Sequence, residues 1–194
     1  MTAFGRDEIE AAFRHYFMTG PVLEDWVAWS QLFADDAVYF DHFYGRFRGP
    51  TEIQLFLEST MMFGRHCYTA LDWYNIEGTR IVWKGLNRAD HPNPSQPPFE
   101  FPSLQILTYA GQGKWQSEED WWIPAEMTSF AKGYWKACQA IDPAFPDALS
   151  RRHWGDVQWA RPPEGHATRP SWLGREAEIR VVRRIDDIDF GERV

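Results

Sequence analysis

A chain of 194 residues, 44% hydrophobic and 25% charged, has the size and composition of one globular domain with an added arm. Its net charge of −8 argues against nucleic acid and anionic lipid as partners, because phosphate binding needs a basic face. No apolar run is long enough to span a bilayer, and the start, MTAFGRDEIEAAF, lacks the basic and then apolar segments of a secretion signal.

Two cysteines, Cys67 and Cys138, exclude a disulfide framework and a cysteine-rich zinc site, and they fit a cytoplasmic location. Aromatic residues reach 16%, with 11 Trp. That is more than a core of this size needs, so some of these rings are expected to line a site for a flat or apolar ligand. A Trp-rich core or interface is the alternative.

In chain order, Ile9, Ala12, Phe13, Tyr16 and Phe17 recur at helical spacing over 7–19. Thr19-Gly20-Pro21 breaks that helix. A second helix is expected over 23–34 around Trp26, Val27, Ser30 and Phe33. Residues 37–42 read as a strand with Tyr39 and Asp41 on one face. Gly45 and Gly49 bracket a tight hairpin-like segment. Pro50 opens a third helix with Ile53, Phe56 and Leu57 in its stripe, ended by Gly64.

The period then changes to two. Strands are expected at 66–77, 80–90, 99–110 and 114–123, turning at Glu77-Gly78 and Gly111-Gln112-Gly113. The run HPNPSQPP over 91–98 is a loop, since proline lacks the donor a central strand needs. Pro124 starts a helix to about 141, with Met127, Phe130, Ala131, Tyr134, Trp135 and Cys138 in its stripe. Residues 142–194 carry Trp154, Trp159 and Trp172 but little aliphatic mass. They read as an ordered arm that packs on the 1–141 domain or on a neighbouring subunit, with one strand-like stretch from Glu178 to Asp186.

The order of helix, helix, strand, helix and four strands resembles the nuclear transport factor 2-like superfamily, which includes the SnoaL-like proteins. So do the local runs Leu32-Phe33-Ala34-Asp35-Asp36-Ala37-Val38-Tyr39 and Gly49-Pro50-Thr51-Glu52-Ile53. The resemblance covers about 5–141. It implies an α+β fold, a cone-shaped curved antiparallel sheet wrapped around helices with a deep pocket, here followed by the C-terminal arm. It also implies pairing into a homodimer or higher homo-oligomer, and it leaves the reaction open, because this fold hosts isomerases, dehydratases, cyclases, hydrolases, lyases and non-enzymes.

Several residues have the chemistry for a site. Asp41 falls where ketosteroid isomerases of the superfamily carry their base, four residues beyond Ala37, and Tyr16 lies near their oxyanion-binding Tyr. Arg88 and Asp90 share a strand face. With Asp120, thirty residues on, they resemble the Arg-x-Asp and Asp set of limonene-type epoxide hydrolases. That family also places a Tyr and an Asn where this chain has Tyr39 and Asp41. His66 lies near the pocket His of scytalone dehydratase-like members. Trp26, Phe56 and Trp122, with Tyr16, are candidate substrate walls.

Independent of any resemblance, two carboxyls in different protonation states can divide the roles of base and acid. There is no GxGxxG, Walker, HExxH or Gly-x-Ser-x-Gly motif, and no third ligand at metal spacing beside Asp41 and His66. The expectation is therefore an enzyme free of cofactor and metal. It would act on an apolar aromatic or polycyclic small molecule by elimination, isomerisation or hydration. Epoxide hydrolysis through Arg88, Asp90 and Asp120 is the alternative reaction, and a non-catalytic ligand-binding or dimerisation module is the rival class. Asp41, Tyr39, Arg88 and Asp120 are expected to reach one pocket near the cone mouth.

Overall fold

The computed structural model describes residues 4–193; residues 1–3 and 194, the outer ends of the two expected units, lie outside the described residues. Helix α1 (Arg6–Phe17) buries Ile9, Phe13, Tyr16 and Phe17, as its apolar spacing dictates. It runs into a π-helical turn at Met18–Val22 that contains Pro21. Gly20 within that turn lies against the Trp29 indole, which a side chain there would overlap.

Helix α2 covers only Trp26–Ser30, with the Asp25 carboxylate capping Ala28 N at 3.0 Å. The longer helix expected over 23–34 does not form. Trp115 N donates to Leu32 O and Phe33 pairs with Trp115, so sheet pairing takes Phe33 into β1. Strand β1 (Phe33–Asp41) turns back into β2 (Gly45–Arg48), and α3 (Gly49–Phe63) follows, with Pro50 in its first turn.

Strands β3 (Tyr68–Glu77), β4 (Arg80–Ala89), β5 (Phe99–Gly111) and β6 (Lys114–Trp122) form an antiparallel meander. The six-stranded sheet has the order β2-β1-β6-β5-β4-β3. It is mixed rather than wholly antiparallel, because β1 lies parallel to β6. The crossover through α3 and the meander returns β6 to β1 in the same direction.

One sheet face packs on α1, α2 and α3 through Phe13–Trp83, Tyr16–Trp115, Trp29–Tyr39 and Tyr39–Phe56 contacts. We call this the inner face. Helix α4 (Pro124–Ile141) crosses its open end, where Phe130 meets Phe101 at 5.0 Å and Tyr134 meets Phe99 at 6.1 Å.

The chain after α4 straps the helices from one sheet edge to the other. Trp154 packs on Tyr68 of edge strand β3, and Gly155 passes against Leu71 O. Trp159 then meets Phe13, Phe17 and Tyr74. Ser171 N bonds Glu24 O, and Arg175 pairs with Glu58 of α3 at 3.0 Å. The strap ends at β2, where Arg46 and Glu192 form a single antiparallel bridge. The strand expected over 178–186 is absent. Ile179 and Val182 are buried and Val181 is exposed, a spacing of three rather than alternation, and Ile185–Asp187 form a short 3-10 turn.

Candidate active site

Alternation along two strands sets the site. On β6, Glu118, Asp120 and Trp122 face inward between outward Glu119 and Trp121; on β1, Tyr39 and Asp41 do the same. The parallel register sets Tyr39 opposite Glu118 and Asp41 opposite Asp120. Three carboxyls and a phenol thus meet on the inner face at the β1–β6 seam. Tyr16 reaches them from α1, and Phe56 of α3 packs 5.5 Å from the Tyr39 ring.

Asp41 is 3% exposed. Its Oδ1 accepts from Phe43 N and Tyr44 N, both at 2.8 Å, and its Oδ2 accepts from Trp122 Nε1 at 3.0 Å. Burial raises its pKa above the ordinary carboxylate value, against the Trp122, Tyr44 and Phe43 hydrogen bonds that favour the charged form. With three N–H donors on its two oxygens, Asp41 is built to be the anion.

Asp120 is built differently. Oδ2 accepts the Tyr39 hydroxyl, while Oδ1 is buried without a partner. Burial and then the neighbouring Asp41 charge push its pKa up to about 8, so it carries a proton at neutral pH. Glu118 accepts the Tyr16 hydroxyl at 2.6 Å on Oε1, and its Oε2 is buried and unpartnered. Burial, then Asp120, raises the Glu118 pKa well above the usual range. Tyr16 and Tyr39 are likewise pushed up, first by burial and then by these carboxyls, and remain neutral donors. The seam therefore sets a donor-saturated carboxyl, Asp41, beside an acid that keeps its proton at neutral pH, Asp120, with Glu118 shifted in the same upward direction, the separation of roles that acid–base chemistry uses.

Of the sequence-derived candidates, Tyr39, Asp41, Asp120, Tyr16, Trp122 and Phe56 come together. Trp26 stands one ring back, 5.6 Å from Trp29, whose indole meets Tyr16 and Tyr39. His66 lies in the turn before β3, stacked on Tyr134 at 4.4 Å; burial, and then Arg151, lower its pKa to about 4. Among the described residues no hydrogen bond links it to the carboxyls.

Arg88 and Asp90 do not join the site. Arg88 is in register with Tyr68 and Glu100, so strand parity puts it on the sheet face opposite Gln105 and Asp120. There it bonds Glu100 and His153 O. Asp90 accepts from Tyr68, Ser150, Arg152 and His153. Burial opposes those hydrogen bonds, but together they hold its pKa down at about 2. Of the four residues expected to reach one pocket near the cone mouth, Tyr39, Asp41 and Asp120 meet instead at a buried seam and Arg88 docks the arm, while the groove beside Phe101 is lined by other residues. Cross-strand parity depends on register, which spacing within one strand does not reveal.

Glu118 is absent from the sequence-derived candidates, although counting back two from Asp120 puts it on the same face. Around Asp41, Tyr44 and Trp122 close the site, their rings 6.0 Å apart. Trp122 in turn meets Phe101, at the wall of a groove of about 490 Å³ between β5 and the start of α4. Among the described residues no group of three or more His, Cys, Asp or Glu is placed to hold a metal ion, and no helix is long and apolar enough to cross a membrane.

No family model and no curated protein matches the chain. Solved structures do. A SnoaL-like polyketide cyclase candidate from Shewanella denitrificans superposes with a TM-score of 0.52 at 14% identity, over 66% of this chain and 99% of its own. A protein of Catenulispora acidiphila with a ketosteroid isomerase-like fold, solved with trimethylamine, gives 0.51 at 18%, over 64% and 92%. An LEH-like epoxide hydrolase of M. tuberculosis gives 0.50 at 18%, over 69% and 94%.

This chain has the nuclear transport factor 2-like fold.

Those neighbours are matched over nearly their whole length. About a third of this chain has no counterpart in them.

Proposed function

We propose that this protein is a cofactor-independent acid–base enzyme, of lyase, dehydratase or isomerase type, acting on an apolar cyclic or aromatic small molecule. The observation that carries the reading is the unequal pair at the seam. Asp41, saturated with N–H donors, is the base. Asp120, with a buried oxygen free of donors, is the acid. Asp41 takes a proton from carbon or from water, and Asp120 gives one to the oxygen that gains charge or leaves. Tyr39 holds the acid in place and stabilises its conjugate carboxylate. The aromatic walls provide the low dielectric in which these charges act strongly and the apolar surface a ring compound needs.

Asp41 is closed off in this structure, so entry requires Tyr44 and Trp122 to swing aside toward the groove at Phe101. Fold neighbours include a polyketide cyclase candidate and an epoxide hydrolase, which is in keeping with a reaction on an oxygenated ring. Epoxide hydrolysis through Arg88, Asp90 and Asp120 is the less favoured reading, because the first two are occupied elsewhere. The test is a panel of cyclic ketones, hydroxylated aryl compounds and epoxides turned over by the wild type, Asp41→Asn and Asp120→Asn. Turnover lost in both variants while ligand binding persists supports the pair. Undiminished turnover in both removes it.

A further inference from the structure

A polar row crosses the inner face and ends at the acid. Thr69 on β3 donates to Asn87 Oδ1 on β4 at 2.8 Å, and Asn87 Nδ2 donates to Ser103 Oγ on β5 at 2.9 Å. Gln105 Nε2, two positions along β5, donates to the same Ser103 oxygen at 2.7 Å. Ser103 and Gln105 are both buried. With its nitrogen held by Ser103, the Gln105 amide has its oxygen left over, buried and without a donor. Gln105 stands directly across from Asp120 in the β5–β6 register, where facing side chains are neighbours.

The two unsatisfied atoms at this pair are Gln105 Oε1 and Asp120 Oδ1, both buried acceptors without a donor. Two buried acceptors left without donors at one register pair are costly. One proton on Asp120 Oδ1 satisfies both, while Oδ2 keeps the Tyr39 hydroxyl.

We propose that Gln105 is the positioning residue of the acid: its Oε1 accepts the hydrogen bond of the proton on Asp120, and Ser103 keeps the amide turned that way. This rests on Asp120 being the acid of the proposed reaction and adds how its proton is aimed and retained. When Asp120 gives its proton away, both oxygens are left without a donor, which favours the proton's return before the next turnover.

Both tests read protonation rather than activity. Carboxyl and amide carbon NMR of the full wild-type chain follows Asp120, identified by its loss in Asp120→Asn, and the Gln105 side-chain carbonyl. The two signals should move together with one midpoint. In Ser103→Ala the amide is free to turn and donate to the carboxylate, so the Asp120 midpoint should fall by about one pH unit; in Ser103→Thr it should return to the wild-type value. A Gln105 carbonyl that does not move as Asp120 titrates overturns the proposal. So does a midpoint unchanged or raised in Ser103→Ala. Because no substrate is involved, loss of the enzymatic reading would show in the Asp41 and Asp120 variants while these titrations still stood.

Discussion

At the scale of single residues, the account rests on burial acting unequally on chemically similar groups. Asp41 and Asp120 are register partners in one aromatic interior, yet Asp41 takes three N–H donors while Asp120 takes one hydroxyl and keeps a bare oxygen. Replacing the base by Asp41→Asn keeps its shape and should lower turnover by about 10²–10⁴-fold, with ligand affinity retained. Turnover by wild type should fall as the pH rises through about 8, where Asp120 loses its proton. A flat alkaline side would contradict its role as acid.

Asp120 also carries a signature in stability. Its folded-state pKa is raised above an unfolded value of about 3.9, so its contribution is fully present below about pH 4 and is lost as the pH rises through about 8. Asp120→Asn should therefore raise Tm at pH 8 and leave it nearly unchanged at pH 4. Melting curves at the two pH values check this.

The sequence made Tyr39, Asp41 and Asp120 legible, because strand alternation and the resemblance both pointed there. It misplaced Arg88 and Asp90, because the face they occupy relative to Asp120 is set by register across β4, β5 and β6. Nothing in the sequence joins Asp90 to His153, since their contact at 2.7 Å links positions 63 residues apart.

At the scale of elements, the meander and α4 were readable from alternation, turn glycines and Pro124. The short α2 and the missing 178–186 strand were not, because tertiary pairing overrides local pattern at Phe33 and a spacing of three governs Ile179 and Val182.

The joint between domain and arm is anchored where β4 ends. Asp90 gathers Tyr68, Ser150, Arg152 and His153. Its depressed pKa means that this stability is present above about pH 4 and lost as the pH falls through about 2. Asp90→Ala should destabilise the fold by about 2–3 kcal/mol, measured by urea unfolding. It should also make the segment after Ile141 the first site of limited proteolysis. Wild-type resistance to protease in that variant would show that Asp90 does not secure the arm.

At the scale of the whole molecule, the strap is part of the core. Trp172 is fully buried, and Ala160, Ile179, Val182 and Ile188 join the same apolar cluster as α1 and α3. Removing the chain after Ile141 would bare the Trp159 site on Phe13 and Phe17, as well as the buried Glu24 and Glu58 that lose Arg151 and Arg175. The truncated protein should aggregate or lose its cooperative unfolding transition; a soluble, cooperatively folding 1–141 fragment would show that the cone stands alone.

What the strap and the helices enclose is a water-poor interior around the β1–β6 seam, and the central claim is that this interior separates two carboxyls into base and acid. Carboxyl-carbon NMR titration of the intact protein, with Asp41 and Asp120 identified by their Asn variants, measures that separation most directly. The account predicts two well-separated apparent midpoints for the pair, the upper near 8 and lost in Asp120→Asn. Both carboxyls titrating together near pH 4 would contradict it.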